Sequence, residues 1–288
     1  MVTTRQRRQV VTHLLAAFRS ENVSARRACQ LVRLSRSRWH HRSRRPDDTE
    51  LRERLKMLAA EKPQWGYQQL HVLLRREGRV VNHKKVLRLY REEGLAVHRQ
   101  RRKKRVAAVR VPLPAPTRRT ERWSMDFVSD RLADGRAFRC FTLVDDFTRE
   151  CPAIIVDVSL PGWRLLPTLD RLIAERGRPQ SLVCDNGSEF TGRVFDAWAH
   201  ANGIALQFIR PGKPVENAYI ESFNGKLRAE CLNAHWFLNL DHARITIETW
   251  RHEYNEIRPH SSLGRRTPAE FTRELEPATL PPTQRLTA

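Results

Sequence analysis

The chain has 288 residues, 40% of them hydrophobic, and a formal net charge of +21. That is enough for one large cored domain or two modest ones, and no apolar run is long enough for a membrane span. Residues 1–120 hold 32 Lys and Arg against 9 Asp and Glu, a net of +23, whereas residues 121–288 hold 21 against 23. A polyanion is the natural partner for the first part, and nucleic acid is favoured because the same region has helical apolar periodicity. Cys29, Cys140, Cys151, Cys184 and Cys231 form no C-x-x-C pair and read as reduced thiols. With no signal-peptide stretch at the N-terminus, a cytoplasmic protein is expected.

Residues 8–43 read as a small helical unit. Val11, Leu14 and Leu15 fall at helix spacing, Ser24 is placed to cap a helix through Ala28 and Leu31, and Ser35 one with Arg36, Arg38 and Trp39. Two short helices and a tight turn suggest a helix-turn-helix. A linker over 44–48 follows. Leu51, Leu55 and Leu58 then mark a helix broken at Pro63 to Gly66, and Leu70, Leu73 and Leu74 mark another ending near Gly78. Asn82 is a good cap for a third with Val86, Leu89 and Tyr90. His83, Lys84, Lys85 and Arg88 lie early on it, where a recognition helix meets DNA; a solvated basic face is the alternative.

Arg99 to Arg105, including Arg101, Arg102, Lys103 and Lys104, reads as an arm that binds phosphate without sequence preference. The proline-rich segment from Val111 reads as a semi-rigid linker. The expected divisions are therefore a helical, helix-turn-helix-like segment at 1–47, a helix-turn-helix-like domain at 48–98, a basic and proline-rich linker at 99–120, a core with a C-terminal helix at 121–275 and a tail at 276–288.

After the linker the expected strands are Trp123–Val128, Phe138–Asp145, Pro152–Val158, Ser181–Cys184 and Ile204–Ile209. Helices are expected over Leu165–Ala174, over 192–201 and around Glu221. This is a mixed α/β layout with one sheet flanked by helices. Three carboxylates stand out in apolar surroundings: Asp126 mid-strand, Asp185 at a strand end and Glu221 near a helix start, the last two separated by 35 residues. Carboxylates converging at strand ends make an oxygen-only cage for Mg²⁺ or Mn²⁺, and two such ions suit in-line phosphoryl transfer.

Arg228 follows Glu221 by seven positions, on the same helical face, where a guanidinium suits a DNA phosphate. Asn217 and Asn224 share that face, Asn224 and Lys226 being further DNA-contact candidates and Asn217 reading as a helix cap. Asp145 and Asp146 read mainly as turn residues, Glu189 as a residue favouring a helix start, and Glu216 as exposed. His40 and His41 lack partner cysteines for zinc. Cys231 with His235, and Trp123, Trp163, Trp198, Trp236 and Trp250, read as core or packing residues.

Asp126, Asp185 and Glu221 at this spacing, followed by Arg228, resemble the catalytic pattern of retroviral integrases and bacterial transposases. Pro211-Gly-Lys-Pro, Glu216-Asn-Ala-Tyr-Ile-Glu-Ser-Phe-Asn-Gly-Lys-Leu-Arg and Arg258-Pro-His-Ser-Ser-Leu-Gly resemble the downstream-frame transposases of copy-out insertion sequences. The resemblance runs from about residue 10 to 275. It implies a ribonuclease-H-like core behind all-α DNA-binding segments, with the three acids as catalytic metal ligands for Mg²⁺ or Mn²⁺. It further implies cleavage and joining at element ends, a homo-oligomer on terminal-repeat and target DNA, and in this branch an upstream-frame partner protein. A nuclease that cuts without joining, or an inactive DNA-binding remnant, are the alternatives.

Overall fold

Contacts in a computed structural model, which describes residues 3–18, 23–41, 48–97, 114–210 and 217–275, divide the chain into two units, Met1–Glu53 and Arg54–Ala288. Side-chain caps set the helices of the first unit. Thr3 and Gln6 form a capping box on α1 (Thr4–Ala17), the Ser24 hydroxyl accepts from Arg27 N on α2 (Ala25–Leu31), and Ser35 accepts from Arg38 N on α3 (Arg36–His40). Both serine caps are those expected from sequence. Val11, Ala28, Cys29 and Leu34 form a small core.

Helix α4 (Thr49–Glu61) crosses the boundary between the units. The second unit continues with α5 (Tyr67–Arg76) and α6 (His83–Glu92), the latter capped by Asn82, which accepts from Lys84 N at 2.9 Å. Gly78, at φ 79°, ends the α5 turn in the left-handed region that glycine favours. Residues 54–97, expected to form most of a separate domain, lie in the same unit as the sheet. Polar ties join the two parts: Lys62 to Glu253 at 2.6 Å, Arg76 to Glu270 at 2.7 Å and Arg265 to Gln68 at 2.5 Å.

The sheet has the order β3-β2-β1-β4-β5. Strands β1 (Arg122–Arg131), β2 (Ala137–Asp145) and β3 (Ala153–Asp157) form an antiparallel meander; β4 (Ser181–Cys184) and β5 (Ala205–Phe208) add parallel strands beside β1. Parallel neighbours need crossovers, supplied by α7 (Leu166–Arg176) before β4 and α8 (Arg193–Ala201) before β5. The period of two then sorts the side chains. Val128, Phe138, Cys140 and Val144 form one core with α9 (Ala218–Glu230) and α10 (Leu240–Glu256), while Trp123, Met125, Phe141 and Leu143 form another with α7 and α8.

Helix α10 lies in the C-terminal part of the core, where a helix was expected without stated bounds. Its buried Ala243, Ile247, Trp250 and Tyr254 recur at helix spacing, and Asn239 caps it. The chain resumes as α11 (Pro268–Leu275). Two tryptophans depart from expectation: Trp163 and Trp236 are 61% and 83% exposed, whereas Trp123 and Trp250 are buried. Trp198 packs against the second core and donates to Asp170 at 2.7 Å. Among the described residues no helix is long and apolar enough to cross a membrane.

Candidate active site

Strand pairing brings the two aspartates together. Ser124 and Val183 form the last pair of the parallel β1–β4 ladder; Asp126 lies two residues further along β1 and Asp185 directly after the end of β4, near enough for its charge to act on Asp126. Asp126 shares the parity of Val128, so its side chain points to the face covered by α9. Glu221 lies in the first turn of that helix. The pKa of Asp126 is raised, first by burial and then by the negative charges of Asp185 and Glu221, so the three carboxylates share one field.

Asp126 is held by neutral donors. Phe127 N donates to Oδ1 at 2.7 Å and Asn224 Nδ2 to Oδ2 at 2.8 Å. Thr142, opposite Asp126 in the β1–β2 register, lies 2.9 Å from Asn224 Oδ1 and 3.1 Å from the Asp126 carbonyl, which fixes the amide with its NH₂ toward the carboxylate. Asp185 Oδ1 accepts from Gly187 N at 3.0 Å. A Cβ on Gly187 would come within 2.9 Å of that oxygen, so a larger residue there would displace the Asp185 carboxylate.

Among the described residues neither Asp126 nor Asp185 has a cation within ion-pairing distance. No group of three or more His, Cys, Asp and Glu side chains among them is gathered closely enough to hold a metal ion. The acids therefore share a field without forming one closed ligand shell.

The other expected site residues take several positions. Asn224, expected at DNA, is buried, and its amide is engaged by Asp126 and Thr142. Asn217 occupies the α9 cap position but makes no cap bond; its Nδ2 donates to the Met125 carbonyl at 3.3 Å. Arg228 is exposed, with Nη2 on the Ser129 carbonyl at 3.1 Å. Asn217, Asn224 and Arg228 thus tie one face of α9 to successive points of β1. Lys226 lies about 140° round the helix from Glu221 and donates to the Ser222 carbonyl at 2.9 Å.

On α6, Lys84 is exposed, Lys85 is half-buried and Arg88 pairs with Glu92 at 3.0 Å. Arg101, Arg102, Lys103, Lys104, Glu216 and the Pro211–Pro214 loop lie outside the described residues.

Glu189 does not start a helix. It precedes α8 by four residues and pairs with Arg139 of β2, which holds its carboxyl below the usual carboxylate range. Arg139 also lies 4.1 Å over the Phe127 ring, and Phe127 stacks on Phe190 at 5.3 Å. The loop carrying Asp185 is thereby pinned to β1 and β2. Sequence reasoning missed Arg139 and Thr142; the only signal was a polar residue at each position within an apolar strand. Cys231 is a core residue, its thiol pushed up to about 12 by burial, and its carbonyl is 2.9 Å from His235 Nδ1.

A β-meander extended by two parallel strands, with acids at the β1–β4 junction and on the covering helix, defines an integrase-type core. Residues 116–214 and 202–268 each match a family model described as integrase core domain, and residues 46–104 match one described as HTH-like domain. The chain is 50% identical over 259 residues to the insertion element IS407 uncharacterized 31.7 kDa protein of Burkholderia multivorans, covering 89% of this chain and 94% of that one. It is 49% identical to the insertion element IS476 uncharacterized 39.2 kDa protein of Xanthomonas euvesicatoria, over 86% of this chain and 72% of that one. It is 27% identical to transposase InsD for insertion element IS2 of Escherichia coli, over 81% of each chain. The chain belongs to the integrase-core family of insertion-element proteins, of the IS407 and IS476 type, and its core is ribonuclease-H-like.

Proposed function

We propose that this chain is the transposase of an insertion sequence and that Asp126, Asp185 and Glu221 carry its chemistry. The observation that carries this reading is the shared field of three carboxylates, two of them without a cationic partner among the described residues, on an integrase-type core. Carboxylate oxygens are the donors that Mg²⁺ and Mn²⁺ prefer, and a cation would offset the burial and, after it, the repulsion that raise the Asp126 pKa. Two divalent ions held there would activate the attacking oxygen and neutralise charge on the transferring phosphate.

The protein's own residues position these parts. Asn224 and Thr142 fix Asp126, and Gly187 N orients Asp185. Arg139 and Glu189 steady the loop, and Glu221 comes from the facing helix. In the first step, water attacks an end phosphodiester and frees a 3′-hydroxyl. In the second, that hydroxyl attacks a target phosphorus in line and displaces a target 3′-oxygen.

The helix-turn-helix-like segment, through Lys84, Lys85 and Arg88, and the basic arm at Arg101, Arg102, Lys103 and Lys104 would bind the ends. Arg228 would hold the backbone beside the acids. The net +23 over residues 1–120 supports this division. Two ends call for a homo-oligomer on DNA, working in the bacterial cytoplasm at the nucleoid, with an upstream-frame protein as a further partner.

The test incubates the protein with labelled terminal-repeat DNA and Mg²⁺, comparing it with Glu221→Gln. Joined products lost in the variant support the proposal. Cleavage without joining supports a nuclease, and binding without products a regulator.

A further inference from the structure

Helix α9 carries a second stripe. Tyr219, Ser222 and Lys226 recur at three and four residues, roughly 100–160° round the helix from Glu221. Cations from other elements crowd it. Arg149, in the turn after β2, sits 3.9 Å over the Tyr219 ring, and its Nη1 is buried without a hydrogen-bond partner. His260 is buried too, against Tyr254, with Nε2 unpartnered. Arg258 and Arg265 join Lys226 in lining a cavity of about 490 Å³, whose other wall includes Tyr67. Tyr67 is half-buried and rests 6.2 Å from Tyr90.

Counter-charge is short. Glu230, which reaches Lys226, is already bonded to Arg258 at 2.6 Å, and Asp146, which reaches Arg149, to Arg122 at 2.6 Å. Among the described residues no carboxylate lies within ion-pairing distance of Lys226 or Arg149. The strain shows in titration: burial, with Arg258 and Arg149 adding, lowers the Lys226 pKa to about 8, and burial with the same cations lowers His260 to about 3. Cations crowded this way cost free energy that an anion would offset.

The cavity has the size of a small-ligand site, about 300–1,000 Å³, too small for a duplex. Lys226 lies about 7.5 Å along the helix axis from Glu221. Cations beside an aromatic face are what an unpaired nucleotide needs.

We propose that this cavity takes one unpaired nucleotide of the DNA strand beside the cleavage point, its phosphate on Lys226 and its base against Tyr67. The inference rests on α9 being the catalytic helix, yet its test needs no catalysis. Anisotropy in EDTA would compare the full chain on a blunt duplex and on the same duplex with a five-thymidine overhang. Lys226→Gln and Tyr67→Leu should each weaken overhang binding about tenfold and blunt-duplex binding less than about twofold, with Lys226→Arg restoring most of the loss.

Equal losses on both DNAs, or no loss in Lys226→Gln, would overturn the proposal. So would displacement of the overhang by inorganic pyrophosphate with Tyr67→Leu silent, which would mark a bare anion site. A protein that cuts DNA with Mg²⁺ but shows no overhang effect keeps the catalytic reading and loses this one.

Discussion

Two pairs of acids on one stretch of sheet live in opposite surroundings. Asp145 accepts from Phe147 N and Thr148 N on one oxygen, and from Thr120 N and the Trp123 indole on the other. Asp146 is bonded to Arg122 at 2.6 Å, and burial still raises its pKa to about 6. Asp126 has two neutral donors, Asp185 one, and the charge of Asp185 acts on Asp126. The first pair holds the turn together with Arg122 as its cation; the second has no cation within ion-pairing distance among the described residues, which a divalent ion would supply.

That contrast can be broken by substitution. Glu221→Gln or Asp126→Asn should lower strand cleavage and joining at least about 10³-fold, read from labelled products, while thermal unfolding stays cooperative. Asp146→Ala should act the other way round. It leaves Arg122 buried without its carboxylate, at about 3 kcal/mol in denaturant unfolding, whereas Mn²⁺ affinity measured by calorimetry in the surviving folded protein should hold. Asp146 also predicts a pH effect with a definite sign. Its folded pKa, about 6, exceeds its unfolded value, so its contribution favours folding at low pH and fades as pH rises toward 6 and beyond. Asp146→Asn should remove that slope between about pH 4 and 6.

Asn224→Ala should weaken metal affinity or turnover about 10–100-fold, since it orients a ligand without being one. The smallest effect is the most diagnostic. Asp185→Asn can keep the Gly187 contact and removes a repulsive charge, so in EDTA it should stabilise the fold by up to about 1 kcal/mol while abolishing activity. A destabilised Asp185→Asn protein would place Asp185 with the structural acids.

Much of this was legible in the chain. Ser24, Ser35 and Asn82 announced helix starts, and Ser181–Cys184 was read at its observed bounds, because caps and short apolar runs are local signals. The three acids stand out in the chain by their order and spacing, and the structure shows the charges of Asp185 and Glu221 acting on Asp126. What stayed hidden depended on partners distant in sequence. Asn224 looked free for DNA because nothing local shows that Thr142 and Asp126 engage it from 82 and 98 residues away. Glu189 looked like a helix-start residue because Arg139 is 50 residues off. Helix α10 had a readable apolar stripe, yet it closes the core only against strands far upstream.

The central claim is that Asp126, Asp185 and Glu221 are metal ligands for DNA strand transfer. Asp185→Cys tests it most directly, because a thiolate binds Mg²⁺ poorly and softer ions better. Strand joining by this variant should be absent with Mg²⁺ and recovered with Mn²⁺ or Cd²⁺, while the unaltered protein works with Mg²⁺. Equal activity of the variant in Mg²⁺, or joining by the unaltered protein in EDTA, would contradict the account.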